Sequence, residues 1–184
     1  MKTIYSDYKK SPQEKEFEIA CDKARMASIT YIGVRRKTSG RIAGLLVKKG
    51  FSAIVIKHVV HELINEGVIN DELLACSILK SRRGGKSESK EASFHRMLRL
   101  GIDGDIAKRC LSEAFEDDEK ELSDAIDLLH LKFDSKIDTI RESGRLEQNK
   151  FKQKCYRLLL SRGYKRETAF RAMNNVFKDF EYNE

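Results

Sequence analysis

The stretch Leu45-Leu46-Val47-Lys48-Lys49-Gly50-Phe51 decides the fold, because the chain uses it three times. Its later copies are Arg96-Met97-Leu98-Arg99-Leu100-Gly101-Ile102 and Leu158-Leu159-Leu160-Ser161-Arg162-Gly163-Tyr164. Each reads as the end of an apolar helix, then a glycine, then one large apolar residue. Glycine just past a helix end takes the left-handed backbone conformation that other residues resist. The residue after it commonly packs back on the helix it has left.

The likeness continues past the glycine. Five residues on stand Val55, Ile106 and Thr168; nine on, Val59, Cys110 and Ala172; ten on, Val60, Leu111 and Met173. Thirteen on stand Leu63, Ala114 and Val176, and fourteen on, Ile64, Phe115 and Phe177. This spacing is one face of an α-helix. The unit is therefore helix, Gly turn, amphipathic helix, and self-similarity of this kind marks a repeat architecture. With one proline, no tryptophan and no stretch of period-two alternation, the fold reads as all-α. A charged fraction of 35% against 40% hydrophobic fits an elongated array of three tandem three-helix repeats better than a thick core.

Taken in order, residues 1–13 read as a loose N-terminal segment, with Ser11 capping a helix behind Pro12. Residues 14–82 form the first repeat, with Thr38 or Ser39, Ser52, and Asn70 or Asp71 as N-caps. The basic, Gly/Ser-rich run 83–90 reads as the clearest hinge. The second repeat spans 91–133 and a weakly periodic link 134–145. The third repeat spans 146–178 and an acidic tail 179–184.

The net charge is +7, and its layout is uneven. Lys23–His61 holds nine Lys or Arg and no acid, whereas Glu113–Glu142 holds eleven acids and four bases. Arg145–Arg171 returns to nine bases and two acids, so the first and third repeats are basic. Arg35, Arg36, Lys37, Arg41, Lys48, Lys49 and Lys57 cluster in the first repeat. Arg82, Arg83, Lys86 and Lys90 line the hinge. Arg157, Arg162, Lys165 and Arg166 mark the third repeat, with Lys150, Lys152 and Lys154 nearby. Basic clusters favour nucleic acid or an acidic protein surface; the plainer reading is that they solvate helix backs. Few aromatics interleave, so phosphate contact fits better than base stacking.

Catalysis has little support. Arg83-Gly84-Gly85-Lys86 lacks phosphate-loop spacing. His58 and His61 share a helix face, but no third or fourth metal ligand accompanies them. His130 and Cys155 have nothing to fix them as a nucleophile pair. No cofactor and no metal is expected. Cys21, Cys76, Cys110 and Cys155 sit in helical patterns as small buried thiols do in a reducing compartment. Met1–Ala20 is polar, and no apolar run approaches about 18 residues, so a cytoplasmic monomer is the expectation.

The ordered residues Arg35, Lys37-Thr38, Leu45-Leu46, Lys49-Gly50-Phe51, Leu63, Gly67, Ile69-Asn70-Asp71, Ala75 and Ser81-Arg82 resemble the RecX family. The likeness resumes at Phe94, Leu98, Gly101-Ile102, Arg157-Leu158-Leu159 and Arg162-Gly163-Tyr164 and covers roughly residues 20–178. Arg41-Ile42 stands where the family usually has an acidic residue and Leu. Asn70-Asp71 replaces its paired Asp, and Ser87–Lys90 replaces its Gly before the second repeat. These departures mark a divergent member. The resemblance implies three tandem three-helix repeats, no enzyme activity and no cofactor. It also implies binding in the groove of the RecA–DNA filament, restraining recombinase and coprotease activity.

Overall fold

The computed structural model describes residues 11–33, 35–115 and 117–181. Among these there are nine α-helices and no strand, so the all-α expectation holds. The described chain divides into two compact units, residues 1–70 and 71–184.

The first unit holds α1 (Pro12–Ile32), α2 (Ser39–Lys48) and α3 (Ala53–Asn65). A capping box starts α1: the Ser11 hydroxyl accepts from the Glu14 amide at 3.2 Å, and Glu14 accepts from the Ser11 amide at 2.7 Å. Thr38 and Ser52 cap α2 and α3. Their shared core is Cys21, Ala24, Ile42, Leu46, Val55, Ile56, Val59, Leu63 and Ile69.

The second unit holds α4 (Asp71–Ser81), α5 (Lys90–Arg99), α6 (Gly104–Ala114), α7 (Asp118–Arg141), α8 (Arg145–Ser161) and α9 (Arg166–Val176). It has two apolar clusters. One joins α4, α5 and α6 through Ala75, Met97, Ile102, Ala107, Cys110, Leu111 and Phe115. The other joins α7, α8 and α9 around Leu128, Leu129, Phe151, Cys155, Leu159 and Tyr164.

The three glycine turns share one geometry. Gly50, Gly101 and Gly163 have φ of 82°, 82° and 84°. In each, the residue after glycine donates its N–H to the carbonyl five residues back: Phe51 to Leu46 at 3.2 Å, Ile102 to Met97 at 3.1 Å, Tyr164 to Leu159 at 3.2 Å. These are Schellman closures, which satisfy carbonyls the helix end leaves open. The accepting residues, Leu46, Met97 and Leu159, are fully buried. At Gly50 a Cβ would meet nothing within 4 Å, so only the left-handed φ resists substitution. Gly50→Ala should therefore cost about 1 kcal/mol in a denaturant titration; an unchanged midpoint would contradict the turn's role.

Four expectations change. The predicted hinge 83–90 is packed: Gly84–Lys86 forms a 3-10 turn, and Ser87, Glu88 and Ser89 are buried. Helix α7 runs on to Arg141 through the predicted link, because Ile137 and Ile140 keep an apolar stripe on the third cluster. Helix α4 shares its core with α5 and α6, not with the helices before it. Phe180, in the predicted tail, is buried in the third cluster, and Lys178–Glu181 forms a 3-10 turn. Residues 1–10 and 182–184 of the expected loose ends lie outside the described residues.

Candidate basic binding surface

The Gly turns position several of the cations. A helix that ends in a left-handed glycine turns its last exposed residues outward while the apolar ones face the core. Lys48 and Lys49 therefore stand exposed beside Gly50, and Arg41 lies seven residues before Lys48, on the same face of α2. Arg35, Arg36 and Lys57 are also exposed. Lys37 is half-buried, its ammonium 5.1 Å from the Tyr31 ring centre.

In the second unit Arg83, Lys86, Lys90, Arg157, Lys165 and Arg166 are exposed, and Arg82 and Arg162 are half-buried. None of these fifteen predicted cations makes an ion pair among the described residues. The acidic groups are matched to other bases: Glu66 to Arg25, Glu72 to Arg109, Glu88 to Arg96, Glu119 to Arg171. The predicted cations are thus left available to an outside anion.

The structure brings some of them together. Lys90 and Lys165 line one cleft of about 520 Å³ with Lys108, Phe94 and Leu111, and the carboxylates of Glu91, Asp118 and Glu121 line it too. Arg162 lines a second of about 640 Å³ with His95, Arg96 and Arg99. Arg157 shares a shallow groove on α8 with Lys150 and Lys154. Lys152 is less free, lying 5.9 Å and 5.5 Å from the ring centres of Phe177 and Phe180.

Arg99 and Lys108 were missed by the sequence reading of the site. The signal was present in the register: Arg99 occupies the place of Lys48 two residues before the glycine, and Lys108 that of Lys57 seven after it. Arg162 is likewise the counterpart of Lys49.

Arg82 has a second task. Burial by itself would raise the Glu88 carboxyl. Paired hydrogen bonds from Arg96 at 2.7 and 2.6 Å, the charges of Arg96 and Arg82, and the Ser93 hydroxyl outweigh that and hold it below the usual range.

The third turn departs from the other two. Ser52 and Asp103 cap α3 and α6 with their side chains, but Lys165 stands at that place before α9 and makes no cap bond. Lys165 and Arg166 put two cations at a helix N-terminus, where the backbone dipole disfavours them. Such local inconsistency is expected at functional positions. Lys165→Ser should stabilise the protein by about 1 kcal/mol by supplying a cap, read as a raised melting temperature, while weakening binding to an anionic partner. Unchanged binding would make Lys165 a mere solubilising residue.

The suggested catalytic groups do not converge. His58 pairs with Glu62 at 3.2 Å and His61 contacts Asn65 at 3.1 Å. Among the described residues no three His, Cys, Asp or Glu side chains are grouped to hold a metal. His130 is exposed and 3.3 Å from Asp134, whereas Cys155 is fully buried and its thiol is pushed up to about 12 by burial. Such a thiol is protonated at neutral pH and inert. Cys76 departs from the expected buried thiols, because it is exposed. No described helix is long and apolar enough to cross a membrane.

Helices closed by glycine turns, with unmatched cations around them, define a class: a helical protein with clusters of exposed basic residues. No protein-family model matches the chain. The regulatory protein RecX of Bacillus subtilis (strain 168) is 25% identical over 150 residues, 81% of this chain and 53% of that protein. The protein of the same name from Clostridium perfringens (strain 13) is 28% identical over 154 residues, 83% of this chain and 66% of that one. The chain thus spans about half to two-thirds of the length of these relatives. The crystal structure of RecX from Lactobacillus salivarius matches in fold, with a TM-score of 0.64 and 20% identity over 86% of this chain and 97% of that one. The chain is thus similar to RecX proteins in sequence, and it shares the fold of a RecX crystal structure.

Proposed function

We propose that this protein is a cytoplasmic regulator that binds the RecA–DNA filament and restrains its recombinase, ATPase and coprotease activities in DNA repair, the SOS response and recombination. The observation that carries the reading is the set of exposed cations without acidic partners, grouped near turns that recur in register. The likeness to RecX proteins supports this choice of partner, and the cations supply a means, since they can face acidic protein or DNA backbone. No catalytic step and no cofactor enters this reading. We further propose that the three apolar clusters are three tandem three-helix repeats, each able to present its cations to the filament, in a chain that acts as a monomer. The test is RecA strand exchange and ATP hydrolysis at near-physiological salt with and without the purified protein. Slowing of both supports the proposal, and unchanged rates contradict it.

A second reading rests on the acid-free span Lys23–His61. It is direct, sequence-nonspecific binding to single- or double-stranded DNA through phosphates. Affinity for bare DNA should then fall linearly in log salt, with a slope set by the number of phosphates neutralised. Binding seen only when RecA is present decides against it.

A further inference from the structure

Cys76 and Cys110 lie on facing helices of one cluster. Glu72 and Cys76 are one turn apart on α4, and Arg109 and Cys110 are consecutive on α6. The ion pair of Glu72 with Arg109 holds the two helices side by side one turn from Cys76. Ala75, beside Cys76, and Cys110 belong to the same apolar cluster. Cys76 is among the neighbours that raise the Cys110 thiol. The two thiols differ in access, because Cys76 is exposed and Cys110 is buried.

An exposed thiol against a buried one is the arrangement of an attacking and a resolving cysteine. We propose that Cys76 and Cys110 are a peroxide-reactive pair that closes into a disulfide joining α4 to α6. The Cys76 thiolate attacks the O–O bond of a hydroperoxide such as hydrogen peroxide. It becomes a sulfenic acid, and one oxygen leaves as water. The Cys110 thiol then attacks that sulfur. The S–S bond forms, the sulfenic oxygen leaves as a second water, and two electrons and two protons have passed from the thiols to the peroxide. Cys110 suits the second role. Burial, then the neighbouring Cys76 and the carboxylates of Glu113 and Glu72, raise its thiol, so it is not itself the first target. Cys21 and Cys155 are buried in the other two clusters and stay reduced. A closed bridge would pin α4 on α6 through the one exposed cysteine of the chain's four.

The test treats the full chain with hydrogen peroxide, alkylates the remaining thiols, and maps peptides by mass. The expected result is loss of two of the four thiols, with Cys76 and Cys110 in one cross-linked peptide of a monomeric chain, reversed by dithiothreitol. Cys110→Ser should leave oxygen on Cys76 and no internal bridge. In the wild-type chain, Cys76 oxidised beside a free Cys110, a Cys76-linked dimer, or both thiols intact would each overturn the proposal. These readouts need no RecA and stand apart from the filament reading.

Discussion

Arg96→Ala should destabilise the second unit by about 3 kcal/mol, as the loss of one partner of a buried ion pair does. The Glu88 side chain is 4% exposed, and Arg96, at 29%, is its main counter-charge. Removing Arg96 leaves a carboxylate buried with the Ser93 hydroxyl 3.3 Å away and the more distant charge of Arg82. The low end of the usual range applies because Arg96 is partly in water. Glu88→Gln should cost less, since the amide still accepts one bond and the Arg96 charge it leaves unpaired is partly in water.

The pair also sets an acid response. The folded-state value of Glu88 is depressed below the ordinary carboxylate value of 4.5. Its contribution is therefore full above that value and is lost as pH falls through the lower folded value. Melting temperature should be flat with respect to this group above 4.5 and fall in more acidic solution. Glu88→Gln should flatten that fall. Identical acid profiles for the two proteins would remove Glu88 from the account.

Gly163→Ala should be more damaging than Gly50→Ala. Its φ of 84° strains any side chain by about 1–2 kcal/mol. A Cβ there would also lie 2.8 Å from both the Ala92 Cβ and the Ser89 Oγ, where α5 begins. Ser89 is fixed at that place: it caps α5 through the Ala92 amide at 3.0 Å and donates its own N–H to the Arg162 carbonyl at 3.0 Å. Relief must displace the cap or the turn, so overpacking adds about 1–3 kcal/mol. Denaturant titrations of Gly163→Ala and Gly50→Ala compare the two situations directly. A difference of about 2 kcal/mol is expected, and equal costs would show that the close approach at Gly163 is not maintained in solution.

The same contact explains what the sequence could not show. The run 83–90 has the Gly/Ser composition of a flexible link, and nothing local contradicts that. Its rigidity comes from Arg96, and from Arg162 more than seventy residues away, which no window of periodicity contains. Helix α4 carries Leu74, Ala75, Ile78 and Leu79 on one side, which predicts a buried face but not the helices that bury it. The end of α7 reads as a link because charges dilute its apolar stripe, yet no Gly or Pro interrupts it before Gly144.

The glycine turns were legible because their cause is local. A positive φ needs glycine, and the apolar residue behind it needs the helix it closes on. Even so, the face that the spacing marks was one position incomplete. Ile56, Ala107 and Ala169, six residues past each glycine, are more deeply buried than Ile64, which is 46% exposed. The residues proposed to bind were legible only as charges, while their groupings around the two clefts depended on packing within the second unit.

Co-sedimentation tests the central claim most directly, with the full chain added at near-physiological salt to RecA filaments on DNA, to RecA alone and to DNA alone. The account predicts that the chain pellets with the filament far more than with either component, and that Lys48→Glu with Lys49→Glu or Arg157→Glu with Arg162→Glu releases it. A chain that stays in the supernatant with filaments, or that pellets equally with bare DNA, would contradict it.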